Sequence, residues 1–213
     1  KYIKKYVAVP ANARPLKVKI QQHREILKEY SNNCRWNRAE YQDTRIGIIC
    51  SGDCYLYARE VFGNGASYLK LGFTNPLPDQ MILDFASKVE KIYIIEENDP
   101  YIEQHVRALG VACEGKNLFP LNGEMTPEVI RRVIFGQEYP LDEELQAVVV
   151  ARPPTLCAGC PHRASFFAVK EATKGMNAVY SGDIGCYTLG NAMPLDMVDT
   201  CLCMGAGITI AQG

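Results

Sequence analysis

The sequence predicts an α/β fold with a parallel sheet, and two observations carry this prediction. Between residues 45 and 138, short apolar runs alternate with amphipathic segments of helical length. Glycine closes several of those segments, as at Gly63, Gly110 and Gly136. Strands that alternate with helices are joined by right-handed crossovers, and such connections produce a parallel sheet.

The predicted strands cover residues 45–50, 67–71 and 91–97, with "VACEG" (111–115) as a candidate fourth. A helix is predicted after each of the first three strands. A further helix opens with Thr126 as N-cap and Pro127 at the first helical position.

The segments on either side of this region have a different character. Residues 15–30 have apolar side chains at helical spacing, with Pro15 in the first turn, and the polar stretch 31–44 is predicted to be a linker. Residues 1–44 are therefore expected to be a helical linker. "RPPT" (152–155) interrupts regular structure and predicts a boundary between domains spanning 45–150 and 151–213.

The last domain is predicted to contain three elements. Residues 162–173 form a helix, "NAVYSGDIGCYTLG" (177–190) is a strand that enters a glycine turn, and "MGAGITIAQG" (204–213) begins another helix.

Composition excludes several classes of protein. A net charge of -1 gives no electrostatic case for binding nucleic acid or an anionic membrane, and no apolar run is long enough to span a bilayer. The nine Cys are an odd count, which favours a reducing compartment and a cytoplasmic protein over a disulfide scaffold. Cys34, Cys50, Cys54 and Cys113 are expected to be core or surface thiols. Residue 1 is not Met, so the chain is expected to be part of a longer one.

"LCAGCPHR" (156–163) is the most distinctive motif. Cys157, Cys160 and, after the predicted strand, Cys186 could converge at one sheet edge. Three interpretations stay open: a zinc site completed by Cys201 or Cys203, an iron–sulfur cluster, or a thiol–disulfide pair. His162 is either a zinc ligand or a polar residue at a helix start.

Taken in order, "RPPTLCAGCPHRASF", "GDIGCYTLG" and "DTCLCMGAGITIAQG" resemble the thiamine-diphosphate domain of the alpha subunits of indolepyruvate:ferredoxin oxidoreductases. "GIICSG", "LKLGFTNPLP" and "EENDPYIEQHVRALG" resemble the preceding part of the same family. The resemblance implies a transketolase-C-terminal-like domain over 45–150 and the start of a thiamine-diphosphate-binding domain over 151–213. Residues 1–44 would lead from a pyrimidine-binding domain.

The resemblance also implies the chemistry. It indicates oxidative decarboxylation of aryl 2-oxo acids such as indolepyruvate to acyl-CoA, with electrons passed to ferredoxin. The implied cofactors are thiamine diphosphate, Mg²⁺ and a [4Fe-4S] cluster. The implied partners are the beta subunit, ferredoxin, coenzyme A and the 2-oxo acid, with no nucleic acid and no membrane. An isolated fragment is expected to be inactive, because the activating Glu and the Mg²⁺ motif of the family lie outside it.

Individual positions follow from the same resemblance. The family's cofactor loops correspond to Gly182, Asp183, Ile184, Gly185, Cys203, Met204 and Gly205. Cys157, Cys160 and Cys186 correspond to three ligands of a proximal cluster whose fourth Cys lies further downstream. Met204 corresponds to the bulky residue that keeps the cofactor bent, and no catalytic residue is identified. The alternative is a non-catalytic zinc- or iron–sulfur-binding module.

Overall fold

The computed structural model describes residues 2–140 and 142–213. The chain divides into two compact units, of which the first runs to Pro140 and the second from there to Gly213. None of the helices in these described ranges is long and apolar enough to cross a membrane.

A four-stranded sheet forms the centre of the first unit. Its strands are β1 (Arg38–Glu40), β2 (Ile46–Ser51), β3 (Ser67–Leu71) and β4 (Lys91–Ile95), in the spatial order β1-β3-β2-β4. β2 pairs in parallel with both β3 and β4, whereas β1 pairs antiparallel with β3. The predicted α/β fold class is confirmed.

The helices of the first unit are α1 (Ile3–Tyr6), α2 (Pro10–Asn33), α3 (Cys54–Phe62), α4 (Asp79–Ala86), α5 (Tyr101–Ala108) and α6 (Pro127–Phe135). Both predicted ends of α6 are confirmed. Thr126 Oγ1 accepts a hydrogen bond from the Val129 N–H, and Gly136 adopts the left-handed conformation at the C-terminus.

Alternating side chains of the strands build two hydrophobic clusters, one on each face of the sheet. Ile48 and Cys50 of β2 belong to the cluster under α3 and α6, and Ile49 belongs to the cluster under α4 and α5. This pattern follows from the two-residue period of a strand. A parallel sheet covered by helices on both faces needs apolar residues on both, which explains the almost continuous run "IGIIC".

Three predictions for the first unit need correction. The predicted linker contains β1, a strand too short to show periodicity, and β1 forms because the edge of β3 offers it hydrogen-bonding partners. α2 begins at Pro10, so Pro15 lies inside the helix. The candidate fourth strand is reduced to one parallel bridge between Tyr93 and Glu114.

The second unit consists of α7 (Glu143–Val148), α8 (Pro161–Ala172), a 3₁₀ helix (Cys186–Asn191) and α9 (Ala206–Gln212). The predicted helices at residues 162–173 and 204–213 are confirmed. α7 was not predicted, although Asp142 caps it by accepting hydrogen bonds from the N–H groups of Glu144 and Leu145.

The strand predicted at the start of "NAVYSGDIGCYTLG" is wrong. Among the described residues this segment makes one isolated bridge, between Ser181 and Thr200. Tyr180 donates its N–H to the Asp199 carboxylate at 2.6 Å, and the backbone partners of Tyr180 and Gly182 are limited to Asp199 and Thr200. The domain division 1–44, 45–150 and 151–213 stays a prediction.

Candidate functional site

Asp183 joins the two glycine segments of the second unit. Its carboxylate accepts the Gly205 N–H, at 2.7 Å to Oδ1 and 2.9 Å to Oδ2, and the Gly207 N–H at 3.2 Å. The Ile184 N–H donates to Oδ1 at 2.8 Å. These backbone donors, Ile184 first, hold the pKa of Asp183 below its ordinary value because they stabilise the charged form. The predicted cofactor loops, 182–185 and 203–205, therefore meet through this carboxylate.

The two segments approach so closely that glycine is required at the contact. A Cβ on Gly207 would lie 2.5 Å from the carbonyl oxygen of Gly182. Ser181 Oγ also donates to the Gly207 carbonyl oxygen at 2.8 Å. Gly207 was not among the predicted site residues, although it stands in the same "MGAG" motif.

A cavity of about 550 Å³ lies beside this contact. Asp183 is the one carboxylate on its wall, which is otherwise mainly apolar; the lining residues are His162, Ser165, Phe166, Ser181, Gly182, Asp183, Tyr187, Met197, Val198, Gly207, Ile208 and Ala211. A cavity of this size and character is typical of a small-molecule site. Cys203 and Met204 are exposed and are not part of this wall.

The Cys-x-x-Cys motif forms a tight turn at the start of α8. The Cys160 N–H donates to the Cys157 carbonyl oxygen at 3.2 Å, and Gly159 between them has a positive φ of 72°. Cys160 is the N-cap of α8 and is half-buried, whereas Cys157 is exposed. Pro161 opens α8, one residue before the predicted start of this helix at His162.

Cys186 begins the 3₁₀ helix and is exposed. Within residues 2–140 and 142–213, no three or more His, Cys, Asp or Glu side chains are placed to hold one metal ion. The described part of the second unit has no strand pairing beyond the isolated bridge at Ser181, so it offers no sheet edge at which the three thiols could converge. The assignment of Cys157, Cys160 and Cys186 as metal ligands stays a prediction. Cys201, the candidate fourth zinc ligand, has its Sγ 3.9 Å from Thr188 Oγ1.

His162 contacts both the motif and the cavity. Its Nδ1 lies 3.4 Å from Cys160 Sγ, and its ring stands edge-on to Tyr187 with the centroids 5.6 Å apart. The sequence did not decide between a zinc ligand and a polar residue at a helix start for His162. Its position two residues after Cys160 was the one signal that it would lie close to that thiol.

The cavity can be tested against the implied cofactors. Its apolar wall and paired glycine backbones suit a ring system such as that of thiamine diphosphate. Asp183, already engaged by backbone N–H groups, is the one carboxylate there, so Mg²⁺ and the diphosphate need further ligands. The described thiols are not gathered at one point, so the described residues alone do not form a site for a [4Fe-4S] cluster.

Comparison with known proteins identifies the chain's relatives. No protein-family model matches. The chain is 38 % identical to the indolepyruvate oxidoreductase subunit IorA of Thermococcus kodakarensis, over 98 % of this chain and 36 % of that protein. The corresponding subunit of Archaeoglobus fulgidus is 36 % identical over 97 % of this chain and 36 % of its own length. That of Methanothermobacter marburgensis is 34 % identical over 98 % and 37 %.

A solved structure is similar at a lower level. The 2-oxoglutarate:ferredoxin oxidoreductase of Magnetococcus marinus, with 2-oxoglutarate, coenzyme A and succinyl-CoA bound, has a TM-score of 0.44 and 20 % identity. The similarity covers 60 % of this chain and 23 % of that one, and it carries no assignment. The chain spans 36 % of the length of the first curated relatives that it matches. Over nearly all of its own length, it is a relative of the IorA subunits of indolepyruvate oxidoreductases.

Proposed function

We propose that this chain is part of the catalytic subunit of a 2-oxoacid:ferredoxin oxidoreductase acting on aryl 2-oxo acids such as indolepyruvate. The observation that carries the proposal is the meeting of the 182–185 and 203–207 segments at Asp183. These segments, distant in sequence, contain motifs on which the resemblance to the family depends.

In the proposed reaction, a 2-oxo acid and coenzyme A yield acyl-CoA, CO₂ and a proton. The two electrons released reduce two ferredoxins. Thiamine diphosphate, when bound, supplies the nucleophilic carbon that attacks the keto group and the electron sink that allows CO₂ to leave.

The chain's own residues would bind and orient the cofactor. Gly182 of the cavity wall would lie beside its rings, with Gly185 in the same loop, and Asp183 holds the Gly205 backbone against this loop. Cys203 and Met204 are exposed and lie outside the cavity wall, so their proposed contact with the cofactor rests on the resemblance to the family. The aromatic wall around His162 would exclude water from the reacting carbon.

The remaining parts of the proposal concern groups outside the chain. A beta subunit, ferredoxin and coenzyme A are the proposed partners, and the cytoplasm is the proposed compartment. Cys157, Cys160 and Cys186 are proposed as ligands of a cluster in the assembled enzyme, with the fourth ligand supplied from elsewhere.

An anaerobic assay of the complete subunit carrying this sequence, produced with its partner subunit, tests the function. We expect coenzyme-A-dependent reduction of ferredoxin with indolepyruvate or phenylpyruvate, and a slower reaction with 2-oxoglutarate. The Cys160→Ala subunit should contain less iron per subunit than the parent. Absence of reduction with every 2-oxo acid, or one equivalent of zinc in place of iron, would contradict the proposal and favour the zinc module.

A further inference from the structure

The last turn of α2 attaches this helix to the rest of the first unit. Ser31 Oγ donates to the Pro76 carbonyl oxygen at 2.8 Å, and Asn32 Oδ1 accepts the N–H groups of Gln80 and Met81. Ser31 is the only buried residue of the helix, all of whose residues the structure describes. A helix of 24 residues is about 36 Å long, so most of its surface is open to solvent.

The apolar side chains of α2 follow a heptad pattern. Leu, Ile, His, Leu and Tyr stand at alternating steps of four and three residues, at positions 16, 20, 23, 27 and 30. Positions with this spacing form one continuous seam along a helix, and such a seam packs against a second helix. Ile20 in the seam is nevertheless 60 % exposed, and Leu16 is half-buried. The seam therefore lacks a packing partner over its first turns within the described part of the chain.

A cavity of about 560 Å³ lies between this seam and the loop that follows β3. The seam residues Leu16, Ile20, His23 and Leu27 line one side of it, and Asn75 and Pro76 line the other. Helices that bind in grooves insert side chains at this same spacing. The shape of the cavity wall thus agrees with the sequence pattern in favouring a helical ligand.

The charges beside the seam have one sign. Lys17, Lys19 and Arg24 stand at the positions that flank it, and none of the ion pairs formed among the described residues includes them. Residues 1–24 contain no Asp or Glu. Flanking positions of paired helices attract opposite charges on the partner and repel like charges. The surface therefore fits a helix with acidic flanks and disfavours a second copy of α2.

We propose that the seam of α2 is a docking surface for an amphipathic helix of another protein, with apolar side chains along its own seam and Asp or Glu beside them. Apolar contacts at Leu16 and Ile20 supply the affinity, and the basic flanks select the acidic partner. Docking also stabilises α2 itself, because helices in proteins owe most of their stability to packing of an apolar face. Helix docking requires no enzymatic activity, so it is independent of the proposed function.

Fluorescence anisotropy with labelled peptides tests the surface on the complete subunit that carries this sequence. Two helical peptides of about three heptads share Leu at the seam positions; the acidic peptide has Glu at the flanking positions, and the basic peptide has Lys. We expect the acidic peptide to bind at least about tenfold more tightly than the basic one, and high salt to reduce this difference.

Two kinds of variant test the seam and its flanks separately. Ile20→Asp should abolish binding of the acidic peptide, because it places a carboxylate in the apolar seam. Val18→Asp is the matched control, since Val18 is 58 % exposed but lies on the opposite side of α2, and it should leave binding unchanged. The double variant Lys19→Glu, Arg24→Glu should transfer the preference to the basic peptide. Circular dichroism checks that each variant stays folded.

The proposal is overturned if neither peptide binds, if both bind equally, or if Ile20→Asp and Val18→Asp weaken binding equally. A parent subunit that is a dimer by analytical ultracentrifugation, and that Ile20→Asp makes monomeric, would identify a second copy as the occupant instead. Binding to phosphatidylserine vesicles that is lost in Ile20→Asp, without binding of either peptide, would identify a membrane surface instead.

Discussion

The interactions that stabilise the first unit differ from those that stabilise the second. In the first, buried apolar side chains such as Phe85, Ile48 and Ile49 cover both faces of the sheet. In the described part of the second, Met197 is the only large apolar side chain in the buried core. The second unit relies instead on hydrogen bonds between side chains and the backbone: Ser181 and Lys170 donate to carbonyl oxygens, and Asp183 accepts from the Gly205 N–H.

This difference separates stability from chemistry. Burial of apolar surface is the main favourable term in folding, so the first unit has a core of its own. The second unit leaves apolar side chains such as Phe167, Val179 and Ile208 more than half exposed, and it contains the cavity beside Asp183. Its three exposed thiols contrast with the four buried thiols of the first unit.

The largest effect is expected from a matched pair of phenylalanines. Phe85→Ala removes a fully buried ring from the first unit and should lower its free energy of unfolding by about 3–5 kcal/mol. Phe167→Ala removes a ring that is 63 % exposed and should change stability by about 0.5 kcal/mol or less. Urea unfolding followed by circular dichroism measures both. Equal losses would show that the second unit also depends on a packed core.

The cysteines provide a comparison of accessibility within one molecule. Burial raises the pKa of Cys54 to about 11 and raises that of Cys50 as well, so both thiols stay protonated and shielded at neutral pH. We expect iodoacetamide to modify Cys157, Cys186 and Cys203 rapidly in the metal-free native chain. Cys50 and Cys54 should react only after denaturation. Peptide mass spectrometry measures each site, and rapid native labelling of Cys50 would contradict the burial.

A smaller, local effect is expected at Asp183. Its pKa is lowered in the folded chain, so its contribution to stability is present above the unfolded value of about 3.9 and is lost as the pH falls through the lower folded value. The Gly205 and Gly207 amides should exchange faster in Asp183→Ala than in the parent chain at neutral pH. Glu171→Ala removes an exposed carboxylate of α8 and serves as the control. An unchanged exchange rate at both glycines would mean that Asp183 does not hold the two segments together.

The sequence predicted most of the first unit because local and global signals agree there. Thr126, Pro127 and Gly136 specify the ends of α6 through their own backbone preferences. Strand β1 could not be predicted, since a three-residue segment has no period and forms only because β3 is beside it. In the second unit, the bridge at Ser181 replaced a predicted strand for the same reason: pairing depends on a partner distant in sequence.

Residue types at short spacing were enough to predict the fold class, both ends of α6 and the resemblance to the family. The three-dimensional arrangement was needed to show that Asp183 joins the two glycine segments and that Gly207 belongs to their contact. Such contacts depend on where the backbone places residues that are far apart along the chain, and residue spacing does not encode those distances.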